Sequence, residues 1–86
     1  MPERQVRVES KIGLHARPAA QFVRTAAKAP CEITVAKRGC VPVNAKSMLG
    51  ILRLDAQCGE IITISAEGEN AELILDDLAT LVTTEV

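Results

Sequence analysis

His15 is the only histidine in this 86-residue chain, and its neighbours suit phosphoryl chemistry. Arg17 and Pro18 follow it at the start of a segment whose apolar spacing predicts an amphipathic helix. If His15 is the N-cap of that helix, the backbone N–H groups of Ala16 and Arg17 are free at its positive end. A neutral imidazole is nucleophilic near neutral pH, and a guanidinium can bind phosphate oxygens in a bidentate manner. The pattern therefore predicts a reversible phosphohistidine at His15, with Arg17 in contact with the phosphate.

Gly13 and Pro18 shape the approach to this site. Gly13 gives the loop a freedom that a side chain would restrict. Pro18 lies in the first helical turn, where its missing N–H has no partner within the helix, so it stiffens the entrance without loss of a helical hydrogen bond. A residue that precedes proline is pushed away from helical angles, so we expect local backbone strain at Arg17.

The predicted first helix runs from Ala16 to Lys28 and separates an apolar stripe from a basic row. Four positions with helical spacing should face the core: Ala19, Phe22, Val23 and Ala26. At about 100° per residue, Arg17, Arg24 and Lys28 fall in one narrow sector on nearly the opposite side. The helix therefore presents a row of cations that leads away from His15.

A short second helix can begin after the N-cap Ser47 and continue through about Leu54. It is crowded with apolar residues that it cannot all bury: Met48, Leu49, Ile51, Leu52 and Leu54. Exposed Met48, Leu49 and Leu52 beside the basic row predict a docking surface for acidic partners. A phosphate on Ser47 would add about two negative charges to this surface and weaken the binding of such partners. Without that phosphate, Ser47 is an ordinary N-cap.

The other segments predict four strands and a third helix. Alternating apolar and polar residues indicate strands at Arg4 to Glu9 and Glu32 to Lys37. Cys40 to Val43 should be the next strand, and Ile61 to Ala66 is the most strongly apolar one. A tight turn at Arg38 and Gly39 makes the middle two a hairpin, and Pro42 puts the second of them at a sheet edge. The last helix should bury a stripe that consists of Ala71, Ile74, Leu75, Leu78, Leu81 and Val82.

The resulting order, β-α-β-β-α-β-α, is typical of an α+β two-layer open-faced sandwich. Such a fold has a four-stranded antiparallel sheet with three helices on one face and water on the other. The apolar strand from Ile61 to Ala66 should be central. The side chains expected on the wet face are Arg7, Glu9, Glu32, Thr34, Thr63 and Ser65. Residues 1–86 should form one domain.

Composition excludes several other classes of protein. A net charge of −1 and a single aromatic residue disfavour a nucleic-acid module, which would need a basic face with stacking aromatics. No segment approaches the roughly 20 apolar residues of a membrane span, so we expect a cytoplasmic protein without membrane insertion. One histidine and three separated cysteines give no metal-site spacing, so no metal or other cofactor is expected. Cys31, Cys40 and Cys58 should be reduced thiols that fill small apolar sites.

Two segments resemble the histidine-containing phosphocarrier (HPr) family of the bacterial sugar phosphotransferase system. GLHARPA at residues 13–19 is similar to the active-site signature of that family, and VNAKSMLG at residues 43–50 is similar to its regulatory-serine segment. The resemblance implies the same sandwich fold. It implies that His15 accepts a phosphoryl group on Nδ1 from phosphorylated enzyme I, ultimately from phosphoenolpyruvate, and passes it to sugar-specific IIA domains. Arg17 would contact the phosphate, and the chain would be a carrier rather than an enzyme.

The same resemblance implies further partners and a regulatory site. Ser47 would be the target of an ATP-dependent HPr kinase/phosphorylase, and a transcriptional regulator would be another partner. The partner-binding face would consist of Ala16, Ala20, Arg24, Met48, Leu49, Leu52 and Arg53. A carrier that docks transiently is most simply a monomer.

Asp55 departs from the family pattern, since many members have glycine at this position after the second helix. Aspartate tolerates left-handed backbone angles, so the turn need not change. We expect this departure to leave His15 and Arg17 untouched.

Two other functions fit the same residues. In a regulatory binding module, phosphorylation of Ser47 would matter and transfer through His15 would not. In a phosphorelay for nitrogen or carbon control, His15 would pass its phosphoryl group to a regulatory IIA domain and to no sugar-specific one. Some relatives replace the active histidine and serve only in regulation, so its retention here argues against the purely regulatory role and leaves the relay as an alternative.

Overall fold

The computed structural model describes residues 2–83, whose helices and strands follow the predicted order. They are β1 (Glu3–Arg7), α1 (Ala16–Lys28), β2 (Glu32–Lys37), β3 (Val43–Asn44), α2 (Met48–Leu54), β4 (Ile61–Glu67) and α3 (Ala71–Thr83). The strands form one antiparallel sheet in the order β1-β4-β2-β3, so the apolar β4 is central, as predicted. α1 packs against α3 and α2, and α3 packs on β1 and β4. The predicted sandwich is thereby confirmed.

The core between the sheet and the helices is aliphatic except for Cys31 and the fully buried Phe22. The helices α1 and α3 bury Pro18, Ala19, Phe22, Ala26, Ala71, Leu75, Leu78 and Val82. Three other members of the predicted stripes, Val23, Ile74 and Leu81, are half-buried at the margin of the core. Full burial of a large apolar side chain contributes about 1.5–3 kcal/mol. The two stripes therefore hold both long helices on the sheet, including α1, which His15 precedes.

The third strand is shorter and begins later than predicted. It comprises Val43–Asn44, so residues 40–42 of the predicted strand lie outside it. Cys40 N–H donates to the carbonyl oxygen of Lys37 at 3.0 Å, which closes a turn, and Pro42 has no N–H to offer a neighbouring strand. The strand nonetheless lies at a sheet edge, as Pro42 indicated.

Two predictions about exposure are wrong. Ser65 is buried, because its strand is central and its hydroxyl donates to Oε2 of Glu3 at 3.3 Å. Cys40 and Cys58 lie in loops and are exposed, whereas Cys31 is buried as predicted; all three are free thiols.

No helix within residues 2–83 is long and apolar enough to cross a membrane.

Candidate functional site

His15 stands at the start of α1 with its side chain free of the helix. Its extended backbone (φ −132°, ψ 169°) makes it the N-cap, as predicted, and its carbonyl oxygen accepts a hydrogen bond from Ala19 N at 3.3 Å. The imidazole makes no capping hydrogen bond, and 32% of the side chain is exposed. A second protein can therefore reach the imidazole ring while the backbone of His15 stays fixed.

The loop that carries His15 is anchored to the loop after α2. Leu14 is buried, and its N–H donates to the carbonyl oxygen of Ala56 at 2.8 Å. Gly13 has a φ of +75°, and its N–H donates to the carbonyl oxygen of Ser10 at 2.9 Å. A Cβ at Gly13 would collide with the carbonyl oxygen of Ala56. Gly13 is thus required for a close approach of two loops as well as for its backbone angle.

The backbone strain lies at Ala16 and not at Arg17, where it was expected. Ala16 has a φ of +51°, in the left-handed region that costs a residue with a Cβ roughly 1–2 kcal/mol. Arg17 keeps a negative φ. The chain turns from the extended His15 into α1 at Ala16, and the buried Pro18 follows within the first turn. The strained residue is therefore one position earlier than Arg17, the residue that precedes the proline.

The basic row of α1 is exposed, as predicted. Within residues 2–83, the side chains of Arg17, Arg24 and Lys28 make no hydrogen bond or ion pair. The first turn of α1 also contains no acidic residue that would compete for Arg17. The guanidinium nearest to His15 in the chain is therefore free to bind an anion.

Asp55 contacts His15, although nothing in the sequence predicts this contact. The Oδ1 atom of Asp55 lies 2.9 Å from Nε2 of His15, although the two residues are 40 positions apart. Gln57 Nε2 donates to the same Oδ1 at 2.6 Å. The expectation that Asp55 would leave His15 untouched is therefore wrong, because the anchored loops bring the residue after α2 against the imidazole. The left-handed backbone of Asp55 (φ 52°) agrees with the expectation for the turn.

The second helix exposes the apolar residues that were predicted to face outward. Met48, Leu49 and Leu52 are 36%, 59% and 38% exposed, while Ile51 and Leu54 are buried. α2 packs on α1, the helix that carries the basic row, so these side chains and the row lie on neighbouring helices. Of the remaining members of the predicted partner-binding face, Ala16, Arg24 and Arg53 are exposed and Ala20 is half-buried.

Ser47 is the N-cap of α2, as predicted. Its Oγ accepts a hydrogen bond from Gly50 N at 3.1 Å, and its own N–H donates to the carbonyl oxygen of Asn44 at 3.1 Å. The side chain is half-buried. Ser47 thus has a structural role, and it adjoins the exposed apolar residues of α2 in the chain.

The candidate site lies apart from two depressions in the surface. Two surface depressions, of about 480 and 340 Å³, are lined by other residues, the first by residues 30–32 and 67–70 and the second by residues on the open face of the sheet. Among residues 2–83, no group of three or more potential metal ligands is close enough to bind a metal ion. A partly exposed imidazole that is followed in the chain by a free arginine suits reaction with a group that another macromolecule presents.

Comparison with known proteins gives a consistent result. Residues 2–84 match the family described as "PTS HPr component phosphorylation site". The chain is 50% identical to phosphocarrier protein HPr of Streptomyces coelicolor over 82 residues, which cover 95% of this chain and 88% of that protein. It is 40% identical to the HPr-like protein Crh of Bacillus subtilis over the full length of both. The crystal structure of HPr from Bacillus anthracis, 44% identical, matches with a TM-score of 0.89 over 94% of this chain and 95% of that one.

Proposed function

This chain belongs to the HPr family of the phosphotransferase system, and on that premise we propose that His15 is its phosphoryl carrier. His15 accepts the group from phosphorylated enzyme I, ultimately from phosphoenolpyruvate, and passes it to IIA domains of sugar transport systems. The observation that carries this proposal is the single histidine at the entrance of α1, partly exposed and followed by an unpaired arginine. The chain is a transient holder of the phosphoryl group and not an enzyme with turnover of its own.

In the proposed transfer, the chain mainly places the His15 ring and the groups that bind the phosphoryl oxygens. The lone pair of His15 Nδ1 forms the new N–P bond while the bond between phosphorus and the donor breaks, and the donor keeps that electron pair. The phosphoryl oxygens then meet the N–H groups of Ala16 and Arg17 and the guanidinium of Arg17. The helix dipole adds only about 0.3–1 kcal/mol at such an exposed position. Weak binding suits a carrier, because a group that is held tightly is passed on slowly.

We propose that the partners dock on the residues of α1 and α2 that surround His15. The proposed docking surface comprises Ala16, Ala20, Arg24, Met48, Leu49, Leu52 and Arg53. Its exposed apolar side chains are on α2, and α2 packs against the helix that carries the unpaired cations. Apolar and basic side chains together are the composition expected of a surface that binds acidic proteins. We propose that the carrier is a single domain that acts as a monomer in the cytoplasm, and that it needs no metal or other cofactor.

A chase experiment tests the carrier proposal against its alternatives. The chain is loaded with labelled phosphoenolpyruvate and enzyme I, repurified, and mixed with a sugar-specific IIA domain or with a nitrogen-regulatory IIA domain. We expect the label to pass to the sugar-specific domain within seconds to minutes. Transfer to the regulatory domain alone would instead assign the chain to a nitrogen or carbon relay. Label that passes to neither domain would favour a regulatory module that resembles the HPr-like relatives.

We also propose that Ser47 is a regulatory phosphorylation site, the target of an HPr kinase/phosphorylase, and that the modified chain is read by a transcriptional regulator. Ser47 directly precedes the exposed Met48 and Leu49. A phosphate there carries about −2 charge and would repel an acidic partner. The capping bond to Gly50 also needs only an oxygen acceptor, which a modified side chain can still provide.

Replacement of Ser47 by aspartate should weaken the affinity for enzyme I about fivefold, because a negative charge enters the docking surface. Asparagine caps helices as well as aspartate does, so Ser47→Asn is the matched uncharged control and should bind like the wild type. Both affinities are measured by isothermal titration calorimetry, with thermal unfolding as a check of the fold. Equal affinities for the two variants would contradict a docking surface at Ser47.

A further inference from the structure

We propose that Asp55 is a positioning residue for phosphoryl transfer, because its carboxylate holds His15 in the tautomer whose Nδ1 carries the lone pair. The inference deepens the proposed function of His15 and rests on it. The observation behind it is the 2.9 Å contact between Nε2 of His15 and Oδ1 of Asp55. A glycine at the position of Asp55 would offer no such contact.

The tautomer follows from the donors and acceptors in this contact. An ionised carboxylate only accepts hydrogen bonds, so the ring nitrogen that faces it must carry a hydrogen. A neutral imidazole carries one such hydrogen, so with Nε2 protonated the lone pair is on Nδ1. The contact with Asp55 is the one hydrogen bond that the His15 ring makes within residues 2–83. Asp55 therefore selects Nδ1 as the nucleophile and fixes the rotation of the ring.

The backbone of Asp55 is itself held in place. Its N–H donates to the carbonyl oxygen of Leu52 at 3.2 Å, and its own carbonyl oxygen accepts from Lys37 Nζ at 3.2 Å. The next residue, Ala56, accepts from the N–H of Leu14 at 2.8 Å. The carboxylate and the imidazole thus project from two chain segments that are hydrogen-bonded to each other beside the site.

Gln57 supports the orientation of the carboxylate. Its side-chain amide donates to Oδ1 of Asp55 at 2.6 Å, and its backbone N–H donates to Oε1 of Glu60 at 2.7 Å. Glu60 in turn lies 3.8 Å from Lys37 Nζ. One oxygen of Asp55 is therefore shared between an amide and the imidazole, which restricts the rotation of the carboxylate.

The hydrogen on Nε2 matters in both directions of transfer. When Nδ1 of His15 forms its bond to phosphorus, the hydrogen on Nε2 stays in place, and the positive charge that develops on the ring lies beside the carboxylate of Asp55. When the group leaves for the next protein, the N–P electron pair returns to Nδ1 and the leaving group is a neutral imidazole. Without that hydrogen the leaving group would be an imidazolate anion, which leaves poorly. With Asp55 in place, no proton has to move in either step.

The carboxylate also repels the incoming phosphoryl group, which limits the size of the effect. Asp55 is 59% exposed, so water and salt screen both the repulsion and the attraction. The net gain in transfer rate is therefore expected to be about fivefold, far below that of a buried acid–histidine pair.

Two substitutions at Asp55 test the proposal without disturbing the turn. Asp55→Gly keeps the left-handed backbone and removes the carboxylate, while Asp55→Asn keeps the shape but can either donate to Nε2 or accept from it. The chain has one histidine, so ¹⁵N spectra of histidine-labelled protein report on this ring alone. They are recorded at about pH 8.5, where an ordinary imidazole is neutral.

We expect the wild type to show a protonated Nε2 and an unprotonated Nδ1, and both variants to show a larger share of the Nδ1–H tautomer. Transfer from the loaded protein to a IIA domain should slow about fivefold in both variants, at unchanged thermal stability. Tautomer shares equal to those of the wild type would overturn the proposal, and so would unchanged transfer rates. The spectra need no phosphoryl donor, so a wild type that failed to load would refute the proposed function while the tautomer result still stood.

Discussion

Replacement of Arg17 by glutamate should slow the loading of the chain by enzyme I about a hundredfold, with the fold intact. The change removes the guanidinium proposed to bind the phosphoryl oxygens. It puts in its place a carboxylate, which has the same negative charge as those oxygens. The fold should survive, because Arg17 is exposed and makes no hydrogen bond or ion pair within residues 2–83. A glutamate in the first turn of α1 is even favourable for the helix dipole, by about 0.3–1 kcal/mol.

The measurement is the rate of phosphoryl transfer by rapid quench at saturating enzyme I, so that weaker docking does not count as slower chemistry. Arg24→Glu is the matched control, since Arg24 lies on the same basic row and is also exposed and unpaired in the described structure. It should weaken docking but leave the saturated rate within about threefold of the wild type. An Arg17→Glu rate that falls no further than the Arg24→Glu rate would remove Arg17 from the transfer step.

Replacement of Gly13 by alanine should lower the free energy of unfolding by about 3 kcal/mol, the largest loss of stability expected near the site. A φ of +75° is unfavourable for alanine because alanine has a Cβ, and this Cβ would also collide with the carbonyl oxygen of Ala56. A rigid backbone carbonyl yields less than a flexible side chain would. The collision therefore also pushes the His15 loop away from the loop that holds Asp55.

Gly39→Ala separates these two causes. Gly39 has a similar φ of +80°, but a Cβ there meets no atom within 4 Å. Its substitution should cost only the backbone term, about 1 kcal/mol. Urea denaturation of both variants gives the two free energies. Equal losses would show that the packing of the two loops is not what makes glycine necessary at position 13.

The long helices and the order of the elements could be predicted because they depend on local spacing. The stripe that includes Ala19, Phe22 and Ala26 recurs every three to four residues, and Ser47 has the side chain of an N-cap. The third strand could not be placed as well. Its two residues carry too little alternation to fix a boundary, and the turn at Cys40 displaces it.

The site could be predicted in part, for a related reason. His15 and Arg17 stand together in the sequence, so their position at the entrance of α1 needed only a helix start. The contact of Asp55 with His15 needed the tertiary packing of two loops through Leu14 and Ala56. The one signal in the sequence is the aspartate at position 55 where the family resemblance leads us to expect glycine, and a left-handed turn alone accounts for that difference.

The measurement that bears on the whole proposal is the intact mass of the chain after incubation with phosphoenolpyruvate and an enzyme I of demonstrated activity. The expected result is one added phosphoryl group that is labile to acid, stable to base and absent from a His15→Ala control. The His15 side chain is partly exposed and makes no capping hydrogen bond, so the control should fold like the wild type, which circular dichroism can verify. An unchanged mass, or a phosphoryl group that His15→Ala also acquires, would contradict a phosphocarrier that acts through His15.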